Sequence, residues 1–252
     1  MLESLSCMNP IEQFKSEVAA SIAGLRSDAD LQAFSRIWMR EIIRHKYTHN
    51  FSWLGRPIIQ TPQDILALQE IMWSVKPDLI VETGIAHGGS LILSASILEL
   101  IGGEGLVVGV DLDIRAHNRV EIEKHPMAKR IRMIQGSSID KATVDQVRGF
   151  AGGRRKIMVI LDSNHTHDHV FQELELYSPL VSKGSYLVAF DTIIEDIPEE
   201  LIIDRPWGKG NNPKTAVWQF LKGNKRFVID KDVESKLLIT VAPDGYLRCI
   251  ED

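Results

Sequence analysis

The strongest constraint on this chain is a run of short, wholly apolar segments separated by helical ones. "DLIVET", "LVVGVD", "RIRMIQ", "KIMVILD" and "SYLVAFD" follow one another between residues 78 and 191. Continuous apolar runs of this length suit strands buried on both faces. Strands alternating with helices such as "SLILSASILELI" predict a parallel, doubly wound sheet with right-handed crossovers. The end of the chain breaks the alternation. "RFVIDKD" and "KLLITVAPDGYLRCI" read as two strands with little helix between them, and Asp244-Gly245 reads as a tight turn. The expectation is an α/β fold: a mostly parallel seven-stranded sheet with an antiparallel C-terminal strand.

Before this pattern, residues 1–50 carry apolar residues at helical spacing and no recognisable chemistry. They read as a helical arm on a single domain covering 51–252, packed on the core or on another subunit, so a homo-oligomer is expected. Thr61-Pro62-Gln63-Asp64 reads as a helix start, with Thr61 as cap and Pro62 in the first turn.

Composition removes several function classes. The net charge of −5 and the lack of a basic run interleaved with aromatics argue against nucleic-acid binding. The two cysteines, Cys7 and Cys249, form no CxxC pair and are expected to be free thiols. No leader pattern is seen at the N-terminus, and no apolar run is long enough to span a bilayer. The expectation is a cytoplasmic protein without a membrane partner.

In an open α/β sheet, ligands bind beyond the carboxyl ends of the strands. After the first strand comes "ETGIAHGGS", residues 82–90. Its glycines permit a sharp turn and close backbone approach to a ligand. The plain alternative is a turn that only packs helix on strand. The string is not GxGxxG, so the dinucleotide fingerprint is missing. After the second strand, Asp111 in "GVDLD" is placed to accept from ribose hydroxyls, with Asp113 two residues on. Glycine turn and acid together favour a nucleoside ligand without a pyrophosphate.

"ETGIAHGGS", "VGVDLD", "QGSS" and "LDSNHTHDHV" at these spacings resemble a class I S-adenosylmethionine-dependent methyltransferase. "PWGKGNNPKTAVWQFL" with "FSWLGRPIIQTPQD" resembles the cephalosporin hydroxylase family and the related macrolide sugar O-methyltransferases, over roughly residues 50–250. The resemblance implies a Rossmann-like methyltransferase fold. It places Glu82 and Gly84 at the cofactor's methionine end, with His87 and Ser90 in the same set. It also implies Asp111 at the ribose, Gly136 and Ser137 at the adenine, and Asp162 near the sulfonium.

The string "DSNHTHDHV" then has three readings. A dinuclear zinc hydrolase would need HxHxDH, and the string is one residue short. His167, Asp168 and His169 fit equally the first turn of a helix. The third reading is a metal-assisted methyltransferase. Asp162 and Asp191 end two strands that are usually neighbours, and two hard oxygen ligands suit Mg²⁺. The resemblance implies that the metal binds the acceptor's hydroxyls and that His165, three residues past Asp162, is the general base. Several metal-dependent relatives carry two successive acidic or amide residues after the fifth strand; here Phe190 stands at one of these positions.

The long segment "TIIEDIPEELIIDRPWGKGNNP" reads as a flap over the acceptor. Trp207, Asn211 and Lys214 are its candidate substrate contacts, while Asn212 and Pro213 have a sufficient role in starting the next helix. The expected activity is O-methyl transfer from S-adenosylmethionine, with Mg²⁺, to a hydroxyl of a sugar or small natural product. The alternative is a nicotinamide oxidoreductase or hydroxylase-like protein on a similar fold, and a non-catalytic scaffold is the third possibility.

Overall fold

The structure, a computed structural model, describes residues 9–251. Two helices, α1 (Pro10–Ser27) and α2 (Ala29–Arg44), precede a small hairpin of β1 (Phe51–Trp53) and β2 (Arg56–Ile58). The alternating part follows: α3 (Pro62–Val75), β3 (Leu79–Thr83), α4 (Gly89–Ile101), β4 (Leu106–Asp111) and α5 (Ala116–Lys124). Then come β5 (Ile131–Gln135), α6 (Lys141–Ala151), β6 (Ile157–Leu161), α7 (His167–Tyr177) and β7 (Tyr186–Ala189). The chain ends with α8 (Pro213–Gly223), β8 (Phe227–Ile229), α9 (Lys231–Leu237) and β9 (Tyr246–Cys249).

Seven strands form one sheet in the order β5-β4-β3-β6-β7-β9-β8. The first five pair in parallel, and β9 runs antiparallel to both β7 and β8. Both faces are covered, as the apolar runs require. Ile80 of β3 faces the core shared with α3 and α4, and its neighbours Leu79 and Val81 face the core shared with α6, α7 and α8. The chain order reverses between β3 and β6, so the switch-point crevice opens at their carboxyl ends.

The C-terminal reading needs one correction. Residues 231–237 of the supposed strand region form a short helix, capped by Asp230, whose side chain accepts from Asp232 N. "KLLITV" looked strand-like because it is apolar and β-branched. Its backbone is instead drawn to a distant acceptor, Asp64. Val241 N donates to Asp64 Oδ2 (2.9 Å) and the Thr240 hydroxyl donates to Oδ1 (2.5 Å). Of "KLLITVAPDGYLRCI", only Tyr246–Cys249 joins the sheet. The turn at Asp244-Gly245 is present, with Asp244 at φ 65°.

Within the arm, Pro10–Ser27 and Ala29–Arg44 are helical. None of α1 is buried, and it rests on α9, where Arg26 pairs with Asp232 and donates to the Ser235 hydroxyl (3.0 Å). α2 buries Ser35 and Met39. Cys249 is buried, and Cys7 lies outside the described residues. Among the described residues no helix is long and apolar enough to cross a membrane.

Asp64 ties helix α3 to the C-terminal segment. It is fully buried and accepts from the hydroxyls of Thr61 (2.8 Å) and Tyr246 (2.7 Å) as well as from Thr240 and Val241. Burial raises its pKa, and the hydrogen bonds oppose the rise. An asparagine in its place offers one acceptor oxygen and turns an NH₂ toward donors. Asp64→Asn is therefore expected to lower the unfolding free energy by about 3 kcal/mol. Urea denaturation measures this; an unchanged midpoint would show that the four donors contribute nothing.

Candidate active site

The crevice is built around the turn after β3. Gly84 has φ 91°, and a Cβ there would lie 2.0 Å from the Asp162 carbonyl oxygen. The turn and the tip of β6 therefore touch backbone to backbone, and only glycine fits. Asp111 at the end of β4 fastens the turn from the other side. Its Oδ2 accepts from Ile85 N (2.8 Å) and Ala86 N (3.3 Å), and its Oδ1 accepts from Asp113 N (3.0 Å). A carboxylate has about four acceptor positions, so one remains for a ligand donor. Gly88 and Gly89 have packing reasons: a Cβ on either would strike Ile122 or the Pro57 carbonyl.

Two residues that sequence reasoning missed hold the same turn. Arg56, on the hairpin, donates to the His87 carbonyl (2.7 and 3.1 Å) and to Asn118 Oδ1 (3.0 Å). Asn118 Nδ2 in turn donates to the Ala86 carbonyl (2.9 Å). No local pattern announces either one, because each acts across 30 or more positions. Of His87, the backbone carbonyl is the group engaged.

A narrow cleft beside the turn is lined by Pro57, Ile59, Gln60, Gly84, Ser90 and Asp162 among others. Gln60 is buried with no hydrogen-bond partner at either end of its amide. Glu82 is buried behind Ser90, whose hydroxyl donates to Oε1, while Oε2 has no partner. Burial pushes the Glu82 carboxyl up to about 7. Buried polar groups left unsatisfied call for an explanation, and a polar ligand in the cleft is one. Gln60, the last residue before the Thr61 cap, was readable only as a polar interruption of an apolar loop.

At the next strand tips, β6 and β7 are paired in register at Leu161 and Ala189, so Asp162 and Asp191 converge as expected. Asp162, His165 and Asp191 each present a ligand atom within 4.8 Å of the others. His165 Nε2 lies 3.1 Å from Asp191 Oδ2. Burial, then the negative charges of Asp191 and Glu82, hold the Asp162 carboxyl well above its usual range. A carboxylate pair with one imidazole is a donor set for a divalent cation, and a cation would relieve the repulsion. Phe190 is buried in the core, where it cannot serve as a ligand. Trp207 of the flap packs edge-on against His165, with ring centroids 4.7 Å apart, and the Arg205 guanidinium lies over the Trp207 ring at 5.3 Å.

The other histidines leave this cluster. His167 uses one ring nitrogen on the Thr215 hydroxyl (2.8 Å) and the other on Gln219 Oε1 (3.0 Å). His169 points to Ser138, Ser163 and Glu173. The flap's polar groups are also committed within the protein. Asn211 accepts from His167 N and donates to the Pro206 carbonyl, both at 2.9 Å. Lys214 is buried and pairs with Asp196 at 2.5 Å. Asn212 caps α8 with a capping box, and Pro213 is in its first turn. After β5, Gly136 N donates to the Asp111 carbonyl (2.9 Å), which brings the half-buried Ser137 beside the second strand tip.

Comparison with known proteins places this chain in a family. The model of the rhamnosyl O-methyltransferase/CmcI family matches residues 45–250. The rhamnosyl O-methyltransferase of Mycobacterium tuberculosis (strain ATCC 25618 / H37Rv) is 29% identical over 234 residues, covering 91% of this chain and 89% of that protein. Among solved structures, apo CmcI superposes with a TM-score of 0.57 at 20% identity, covering 81% of this chain and 78% of that one. A CmcI structure with Mg and SAM gives 0.55 at 20% identity and the same coverage. At that identity the two structures share the fold. The chain belongs to the rhamnosyl O-methyltransferase/CmcI family.

Proposed function

We propose that this protein is a Mg²⁺-assisted O-methyltransferase that uses S-adenosylmethionine and methylates a hydroxyl of a sugar or small natural product. The observation that carries the reading is the Asp162–His165–Asp191 cluster standing beside the glycine turn and its unsatisfied Glu82 and Gln60. Its family and the Mg and SAM of the CmcI structure support it. The nicotinamide alternative lacks the GxGxxG turn.

When bound, S-adenosylmethionine supplies a methyl group activated by positive sulfur, and Mg²⁺ supplies a Lewis acid that favours an ionised hydroxyl. The chain's own residues do the rest. Gln60 and Glu82, with Ser90, receive the amino-acid end of the cofactor. Asp111 receives the ribose, and Gly136 and Ser137 border the base. Asp162 and Asp191 hold the cation. Asp191 also accepts from one ring nitrogen of His165, leaving the other to take the acceptor's proton. Trp207 fixes the ring from the side and closes that edge against water. With the methyl group already activated, positioning and deprotonation are the main tasks left to the protein. We further propose a cytoplasmic setting. The outward apolar residues of the arm, Phe14, Phe34 and Trp38 among them, suit contact with a second copy of the chain.

Calorimetry with S-adenosylhomocysteine tests the cofactor site directly. Saturable binding is expected, and His165→Ala is expected to retain it within threefold while methyl transfer falls at least a hundredfold, the usual scale for general-base loss. Equal loss of binding and turnover would make His165 structural. Chelation with EDTA is expected to abolish methyl transfer, with recovery on adding Mg²⁺; full activity after stripping would remove the metal from the mechanism.

Glu82 gives a separate pH signature. Its folded-state value of about 7 lies above the usual 4.5. The folded protein therefore binds an extra proton between these values, so stability falls as pH rises through that window. Glu82→Gln removes the effect. Relative to wild type, the variant is expected to gain on the order of 3 kcal/mol of unfolding free energy between about pH 4 and pH 8. Urea unfolding of the ligand-free protein measures this, and a pH-independent difference would mean that Glu82 stays solvated.

A further inference from the structure

Helix α7 turns three polar side chains inward at one-turn intervals: His169, Glu173 and Tyr177. Spacing of four places them on one helical face. Glu173 and Tyr177 are fully buried. The Ser163 hydroxyl donates to Glu173 Oε1 (2.7 Å). With its proton committed there, Ser163 Oγ meets His169 Nε2 (3.3 Å) as an acceptor, which assigns a proton to that nitrogen. The same N–H lies 3.0 Å from Ser138 Oγ, and the Tyr177 hydroxyl donates to the Ser138 carbonyl (2.7 Å).

These contacts join two places that the sheet keeps apart. Ser163 follows Asp162 at the tip of β6, and Ser138 lies in the loop after β5. Strands β4 and β3 separate β5 from β6, three spacings or about 14 Å in all. The two loops close that gap, and His169 Nε2 of α7 touches both serine hydroxyls, at 3.0 and 3.3 Å. The arrangement is costly, since Glu173 Oε2 is buried with no partner. An apolar side chain of similar size would avoid the desolvation. Nothing in the proton-transfer chemistry uses Glu173.

We propose that Glu173, acting through Ser163 and His169, is a positioning residue that clamps the loop after β5 to the tip of β6 and so fixes the nucleoside half of the cofactor crevice. The proposal rests on reading that crevice as a nucleoside site. Glu173→Leu breaks the clamp and removes a buried, half-partnered carboxyl, whereas Glu173→Gln keeps an acceptor for Ser163. Three measurements separate positioning from mere stability: the thermal midpoint, S-adenosylhomocysteine affinity by calorimetry, and amide exchange at residues 136–138 in the ligand-free protein.

Glu173→Leu is expected to unfold at the same or a higher temperature, bind at least tenfold more weakly and exchange faster at 136–138. Glu173→Gln is expected to bind within threefold of wild type. Ser163→Ala cuts the same chain at its centre and is expected to repeat the weakened binding and faster exchange, which covers the case of a leucine variant that fails to fold. Wild-type exchange in Glu173→Leu, or in Ser163→Ala where the leucine variant does not fold, overturns the proposal. So does a loss of affinity that only parallels a loss of stability. If wild-type protein binds no S-adenosylhomocysteine, the nucleoside reading falls, and the exchange rates of the ligand-free variants still decide the clamp.

Discussion

The site depends on the contact between Gly84 and the Asp162 carbonyl. At 2.0 Å from a hypothetical Cβ, this approach leaves no room for any side chain. Asp162 N donates to the Thr83 carbonyl (2.9 Å), and Gly84 N donates to the Val110 carbonyl (2.8 Å), so the tips of β3, β4 and β6 are joined where strand order reverses. Backbone contact at that point sets Gly84 and Asp162 in the lining of one cleft, with Glu82 behind Ser90 and Asp111 fastened to the turn. It also draws the loop after β6 inward, placing His165 over Asp191 of the next strand.

That convergence brings acidic groups together in a poorly solvated region. Asp162 feels Asp191, Glu82, Glu173 and Asp64, and all four charges raise its carboxyl pKa. Three of these acids have partners of their own. Asp64 has four donors, while Glu82 has Ser90 and Glu173 has Ser163 on one oxygen only, the other oxygen of each being unpartnered. Asp162 and Asp191 are left with a histidine and with each other. A half-buried like-charge pair is tolerable when protonated or when neutralised by a cation. The donor set thus suits a divalent cation on electrostatic grounds.

The large features were legible in the sequence because they follow from local rules. Strands buried on both faces read as unbroken apolar runs, and the strand-tip rule pointed to Asp111, Asp162 and Asp191, while the family resemblance supplied Glu82. Long-range hydrogen bonds escaped it. Arg56, Asn118 and Gln60 gain their roles from partners or cavities that no window of sequence contains. Asp64 defeats the strand reading of "KLLITV" from nearly 180 positions away. In the flap, Asn211 and Lys214 suggested a substrate role by residue type, and their polar groups are bound to His167, Pro206 and Asp196.

The histidine string illustrates how a compact motif can be dispersed by secondary structure. Thr166 is the cap of α7, so His165 lies in the loop while His167 and His169 are the first and third helical residues. Two steps along a helix rotate a side chain by about 200°. His167 therefore faces α8 and its Thr215 and Gln219, and His169 faces the interior and Glu173. Only His165, free of the helical period, can follow the strand tip toward Asp162 and Asp191. An HxHxDH reading presumes that closeness in sequence means one shared metal. Here the helix start divides the three rings among three separate networks, and a single ring remains available for a metal or a proton.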